Sequence, residues 1–379
     1  MMPERIKILY LSWSGAMGGA EIALLRTVRF LDRERFVPRV LQFQPGPMQK
    51  ELEVLNIPVE VLNVKRFRSV IFSIPFFIRL FRKIRQEKIQ LIHAVGTQAW
   101  LAGFLPARLA GIPHLWWVVD LPDGSNNVEK LAARLPASGL VCNSRATMEA
   151  FRAVYPFNRS KAVVIHPPNA QLDSKSGDLA ARAAALRLEF GVTSSQPLIL
   201  SLGRMQRWKG QETLAAAIPA VLKRIPSAVF IFAGGTLPGM EDGTEARLKA
   251  MAKELKVDAH CRFPGYCDDA QALIASADCV VHTSLKPEPF GMVITESMAL
   301  GKAVIATEKG GPQEIITHGV DGILVPAGEP QLLAQAIISF EDPAYKKKLE
   351  ENARASARRF EPAAIARQME NLYMESLKK

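Results

Sequence analysis

Residues 198–210 run LILSLGRMQRWKG. The first five residues are a short apolar run of the kind buried on both faces of a parallel strand. Two glycines and a set of cations follow, and then a helical stretch begins. A strand that opens into a glycine-bearing loop and then a helix is the repeating piece of an α/β domain with a parallel sheet. In such sheets ligands bind at the carboxyl ends of the strands. That end here carries Arg204 and Lys209. Arg offers a forked set of donors and Lys a point charge, a combination suited to a diphosphate. A surface loop with incidental charge is the plainer alternative.

The same alternation extends in both directions. Downstream, strands are predicted at Val229–Ala233, His260–Phe263, Cys279–His282, Ala303–Ala306 and Gly322–Val325. Upstream, they are predicted at Ile6–Leu11, Pro38–Phe43, Val59–Leu62, Ile89–His93, His114–Val119, Gly139–Cys142 and Ala162–Ile165, with helical segments between most of them. Between the two sets, turn-forming residues gather at 171–178 (QLDSKSGD), ahead of a short helix over 178–190. The fold class is therefore α/β, with two doubly wound, Rossmann-like domains. Residues 1–172 form the first domain, 173–361 the second, and 362–379 a terminal helix expected to return to the first.

Composition bounds the function. The 379 residues are 48% hydrophobic and 22% charged, which is globular and excludes collagen, coiled coil and long disorder. The 4 cysteines form no CxxC pair and there is no His-rich cluster, so neither a disulfide framework nor a metal site is expected. No run of about 18 apolar residues occurs, and the apolar stretch near the N-terminus is too short for a signal-peptide core. A cytoplasmic protein is expected. The net charge of +11 resides in the first half: residues 1–195 carry 26 Lys and Arg against 15 Asp and Glu, and residues 196–379 carry 22 against 22. Such asymmetry points to an anionic partner, although a merely soluble basic face would look the same. No nucleic-acid recognition motif accompanies it, so nucleic acid is not the expected partner. Segment 65–88 holds eight cations and one acid interleaved with apolar residues. Phe77, Leu80, Phe81 and Ile84 fall on one helical stripe, with Arg79, Arg82 and Lys83 largely off it. This reads either as a surface for docking at the inner face of the cell membrane or as a stripe packed on the first domain's sheet.

Two further loops share the rim of the second sheet. After the strand CVVH comes 287-PEPFGMVITE-296, in which Gly291 permits close backbone approach. The amides of Phe290, Gly291, Met292 and Val293 would open a helix toward an anion. Glu288 in the loop and Glu296 in the helix present two carboxylates around that helix start, suited to accepting hydrogen bonds from sugar hydroxyls. After the strand AVIA comes Lys309-Gly310-Gly311-Pro312-Gln313-Glu314.

Together, GR-x4-KG, E-x7-E within EPFGMVITE, and GGPQEII followed by HGVDGILVPAGEP resemble the GT-B glycosyltransferases of family 4. The match runs in order along nearly the whole chain and is densest from about 198 to 335. The resemblance implies a retaining, metal-independent enzyme without a cofactor, using a nucleotide-diphosphate sugar as donor. It would glycosylate a glycan or lipid-linked hydroxyl acceptor in the cleft between two domains, in cell-surface glycan or glycolipid synthesis. Arg204 and Lys209 would neutralise the donor diphosphate. Glu288 would bind the transferred sugar, with backbone contacts from Phe290, Gly291 and Met292, and Glu296 would hold the ribose. Gly18 and Gly19 in Gly18-Gly19-Ala20-Glu21 match the family's GGxE, whose glycines approach the donor phosphates. Cys142-Asn143-Ser144 with Glu149 matches the SxxxxE region. The family commonly has His-Asp where this chain has Val119-Asp120; Asp120 is retained as a candidate catalytic residue. The loss of that His leaves a second reading, a catalytically degenerate nucleotide-sugar-binding or scaffold protein.

Overall fold

A computed structural model describes residues 5–64, 73–169, 176–235 and 242–378. The chain divides into two compact units, one of Met1–Pro168 with Phe360–Lys379, the other of Asn169–Arg359. The divisions fall a few residues ahead of those read from the sequence. Asn169 is buried and its Nδ2 donates to the Ala357 carbonyl at 3.1 Å, inside the second unit. Phe360 instead packs edge-on against His166, with centroids 5.4 Å apart, inside the first.

In the first unit the strands are β1 (Ile6–Ser12), β2 (Phe36–Gln42), β3 (Val59–Val61), β4 (Leu91–Val95), β5 (His114–Val118), β6 (Gly139–Cys142) and β7 (Ala162–Val164). They form a 7-stranded parallel sheet in the order β3-β2-β1-β4-β5-β6-β7. In the second unit, β8 (Leu198–Leu202), β9 (Val229–Ala233), β10 (Cys261–Gly265), β11 (Cys279–His282), β12 (Ala303–Thr307) and β13 (Ile323–Val325) form a 6-stranded parallel sheet in the order β10-β9-β8-β11-β12-β13. The order reverses between β1 and β4 in one sheet and between β8 and β11 in the other. These reversals are where an open α/β sheet binds its ligands.

The strands follow the apolar runs because both sheet faces are covered: Ile8, Leu9, Tyr10 and Leu11 of β1 and every residue of β9 are buried. Most strand ends shift from expectation by one or two residues, and two of the shifts have a visible cause. β4 starts at Leu91, since Lys88 takes a φ of 55° and the Ile89 amide donates back to Ile84 at 2.9 Å, closing the preceding helix. β10 runs to Gly265, and His260 lies before it in a short 3-10 turn, its ring bonded to the Ala228 carbonyl at 2.9 Å.

The helix Ile74–Gln86 is capped by Ser73, whose side chain accepts from the Phe76 amide. Leu80 and Ile84 are buried in the sheet's core and Phe76 packs against it, while Ile74 and Ile78 are exposed. Phe77 and Phe81 lie between these extremes, so the expected stripe is buried along one edge only. Lys65, Arg66, Arg68, Val70, Ile71 and Phe72 lie outside the described residues. The C-terminal helix Pro362–Leu377 completes the first unit's core with Ile365, Ala366, Met369 and Tyr373. The Tyr373 hydroxyl meets that of Tyr10 and Nδ1 of His93, each at 2.8 Å. His93 is thus a core histidine. No helix among the described residues is long and apolar enough to cross a membrane.

Candidate active site

Three loops at the carboxyl ends of β8, β11 and β12 are knitted together in the second unit. Lys209 ends a 3-10 turn, and Gly210 then starts the next helix with a φ of 66°, which a side chain would strain. A Cβ there would also overlap the Thr283 carbonyl. Glycine therefore lets the loop after β8 lie against the loop after β11. The Leu285 amide donates to the Trp208 carbonyl at 2.8 Å, and Thr283 Oγ1 donates to the Lys209 carbonyl at 2.9 Å.

The third loop joins through Glu288. Its amide donates to the Lys309 carbonyl at 3.1 Å, and its carbonyl accepts from the Gly311 amide at 2.8 Å. Gly310, with a φ of 78°, sits so close that a Cβ would overlap the Glu288 carbonyl. Gly311 likewise backs onto Phe290, whose side chain is buried. Gly291 then opens the helix Met292–Ala299 without a side-chain cap. The amides of Met292 and Val293 stand in its first turn, where no intrahelical acceptor exists, an arrangement that favours an anion. Glu296 lies half-buried on the same helix, in the turn that follows.

The charges converge on Glu288. Lys209 Nζ lies 2.7 Å from Glu288 Oε2 and 4.2 Å from the centroid of the Trp208 ring. His282 Nε2 lies 3.1 Å and Ser284 Oγ 2.9 Å from the same carboxylate oxygen. Burial works to raise the Glu288 pKa, but the Lys209 ammonium and the His282 hydrogen bond outweigh it. The carboxyl is held well below the usual carboxylate range. A buried, ionised acceptor beside a cation can take hydroxyl donors while the cation stabilises an anion next to it. Arg204 is exposed in the loop after β8, its carbonyl accepting from Gln211 Nε2 at 2.8 Å.

The structure thus brings Lys209, Glu288, Phe290, Gly310 and Gly311 into direct contact, with Gly291, Met292, Val293 and Glu296 on the adjoining helix start. Gly18, Gly19 and Asp120 belong to the first unit. Gly18 caps the helix Gly19–Phe30 at the end of the loop after β1, again without a side-chain bond. Val119 and Asp120 follow β5, and the Val119 carbonyl accepts from Asn143 Nδ2 at 3.2 Å. Ser144 caps the helix Arg145–Val154, accepting from the Thr147 amide at 3.0 Å. Residue-by-residue reading missed His282, Thr283 and Ser284. The available signal was topological: they sit at the end of β11, beside the reversal in strand order.

Residues 17–168 match the family described as Glycosyltransferase Family 4, and residues 185–356 that described as Glycosyl transferases group 1. The D-inositol 3-phosphate glycosyltransferase of Corynebacterium efficiens is 31% identical over 392 residues, spanning 96% of this chain and 91% of that protein. The chain belongs to glycosyltransferase family 4. The glycosyltransferase also resembles the phosphatidyl-myo-inositol mannosyltransferase of Mycobacterium tuberculosis, with 30% identity over 204 residues, or 52% of this chain and 51% of that one. Among solved structures, Anabaena HepE in complex with UDP and glucose superposes with a TM-score of 0.85 at 30% identity, covering 98% of this chain and 100% of HepE. The two parallel-sheet units are accordingly those of the GT-B architecture.

Proposed function

We propose that this glycosyltransferase moves a sugar, with retention at the anomeric carbon, from a UDP-sugar to a hydroxyl of a glycan or lipid-linked acceptor in cell-surface synthesis. The Lys209–Glu288 pair at the β8/β11 reversal carries the reading, because it sets a fixed cation for the diphosphate beside a fixed acceptor for the sugar. The UDP complexes of HepE support the donor base, and the inositol and phosphatidylinositol relatives support a polar or amphiphilic hydroxyl acceptor. In the step proposed, the bond between the anomeric carbon and the β-phosphate oxygen breaks and the acceptor oxygen bonds to that carbon on the same face. The acceptor proton passes to the departing phosphate oxygen. Arg204, Lys209 and the helix-start amides of Met292 and Val293 meet the charge that develops there, with Gly310 and Gly311 letting their loop lie against Glu288 and Phe290. Gly18 and Gly19 give the donor phosphates a second backbone surface. Glu288 holds the sugar's hydroxyls and Glu296 the ribose, and Asp120 stays a candidate catalytic residue. With this cation set no metal is required, and no resident cofactor is assigned.

The test is release of UDP from UDP-glucose, UDP-galactose and UDP-N-acetylglucosamine, with chelator present and absent. Turnover within about twofold in chelator is expected. Loss of turnover in chelator, restored by magnesium or manganese, would contradict metal independence. Firm UDP binding with no turnover of any donor would favour the second reading, a non-catalytic binder, which Val119 supports.

A further inference from the structure

The last residue of β11 and the three that follow touch both members of the ion pair. His282 and Ser284 reach Glu288, while Thr283 and Leu285 hold the backbone of Lys209 and Trp208. The side chains of His282, Thr283 and Ser284 alternate as those of an extended chain do, and Leu285 adds its backbone amide. The segment is itself fixed: Thr307 Oγ1, at the end of β12, donates to the Ser284 carbonyl at 2.9 Å.

The pattern around the carboxylate is one-sided. Lys209 Nζ at 2.7 Å, Ser284 Oγ at 2.9 Å and His282 Nε2 at 3.1 Å all address Glu288 Oε2. Ser284 Oγ and His282 Nε2 are also 3.1 Å apart. An ionised carboxylate only accepts, and the serine hydroxyl has a single proton, which its shorter contact directs to Oε2. Nε2 must therefore be a donor as well. Lys209 and Ser284 thus donate to Oε2, the single Nε2 proton of His282 is shared between Oε2 and the serine oxygen, and among the described residues none donates to Oε1. Satisfying a buried carboxylate would need no such bias.

From this geometry we propose that His282 and Ser284 are positioning residues. They fix Glu288 Oε2 so that Oε1 is presented, as a free acceptor, to a hydroxyl of the transferred sugar. The inference rests on the reading of Glu288 as the group that faces that sugar.

The experiment compares His282→Phe, His282→Gln, Ser284→Ala, Glu288→Ala and the double variant His282→Phe/Glu288→Ala. Each is assayed for transfer from the UDP-sugars above, for calorimetric affinity for UDP, and for its melting temperature. His282→Phe should lower kcat by up to about 100-fold, the scale of a misplaced reacting group, with UDP affinity within about twofold of wild type. His282→Gln, which keeps a donor, should recover most of that loss. The double variant should be no slower than Glu288→Ala alone, because a positioned group that is absent cannot be misplaced. If Glu288→Ala, or the absence of any wild-type turnover, shows that Glu288 does not serve transfer, the underlying reading fails and takes the inference with it. If Glu288→Ala is slow but His282→Phe is as fast as wild type, or multiplies its own full loss onto the double variant, the positioning role alone is overturned. Should His282→Phe not fold, Ser284→Ala against the same criteria decides. A loss of UDP affinity parallel to the loss of rate marks a merely structural role and overturns the proposal.

Discussion

Lys209 has two tasks that pull apart on mutation. It meets the diphosphate in the proposed step, and it neutralises a buried carboxylate at 2.7 Å. Truncation to Ala removes a charge stabiliser worth roughly 10²–10³ in rate. It also strands Glu288, and breaking a buried pair on one side costs about 3–5 kcal/mol of stability. Lys209→Ala should therefore lose both rate and melting temperature, whereas Lys209→Ala/Glu288→Ala should regain stability without regaining rate. Steady-state kinetics paired with thermal melts check this; full activity in the single variant would refute the assignment. The two glutamates should separate cleanly. Glu288→Ala should depress turnover with little effect on free UDP binding, and Glu296→Ala should weaken UDP binding by ~1.5–3 kcal/mol, the range for a charge-assisted hydrogen bond. Calorimetry with UDP giving the reverse ranking would dismiss that division of roles.

At the scale of elements, the helix Ile74–Gln86 shows what sequence could and could not supply. Counted along the chain, segment 65–88 is strongly basic. In the fold, Glu60 of β3 comes within 2.6 Å of Arg79 and 2.7 Å of Lys83, and Glu87 lies 2.6 Å from Lys83 and 3.3 Å from Arg39. Burial works to lower the Lys83 pKa, but Glu60 and Glu87 outweigh it and raise it. Lys83 is thus held between Glu60 of the strand and Glu87 at the helix's own end, while Glu60 offsets only part of the charge of the exposed Arg79. Outward the helix presents Ile74, Ile78, Arg82 and Arg85, with Arg79 exposed beside Glu60. If it docks on membranes, sedimentation with anionic vesicles should be salt-sensitive and fall when Arg82 and Arg85 are neutralised, each being worth ~1 kcal/mol at an anionic surface. Equal retention on neutral vesicles, or none on either, would remove docking from the account. The strands were legible where an apolar run ends at a glycine or a charge, as in LILSL and VFIFA, because burial on both faces leaves no alternative to a central strand. The start of β4 was not, since the positive φ at Lys88 that closes the preceding helix leaves no mark in hydrophobicity. Of the residues that the three loops bring into contact, Lys209, Glu288, Gly310 and Gly311 were marked by their loops in the sequence. His282 and Ser284 were not, because each is an ordinary polar residue until Glu288 is seen 3.1 Å and 2.9 Å away.

At the scale of the whole molecule, the first unit is built from both ends of the chain, and its apolar core encloses a small polar cluster. Tyr10 of β1, His93 of β4 and Tyr373 of the last helix form one buried hydrogen-bonded cluster, with His93 stacked on Trp117 at 5.2 Å. His114 is buried nearby and stacked on Trp100 at 5.6 Å. Burial pushes both histidines down to about 3 from an ordinary 6.5, and at His114 the neighbouring His93 adds to the effect. Between those values the unfolded chain binds protons that the folded unit does not, so stability must rise with pH across that window. The contribution is complete above about pH 6.5 and drains away as the pH falls toward 3. For two such groups the loss between about pH 7 and pH 5.5 comes to roughly 2.5 kcal/mol. Urea unfolding followed by tryptophan fluorescence should record it, because Trp100, Trp116 and Trp117 all lie in this core. His114→Phe should flatten the dependence by about half, since its ring nitrogens lack partners among the described residues and the ring itself is retained. His93→Phe should flatten it similarly but also lower stability at neutral pH, because Tyr373 would lose a buried partner. A pH-independent unfolding midpoint over this range would show that neither histidine is held neutral, and that the terminal helix seals the unit less tightly than its contacts require.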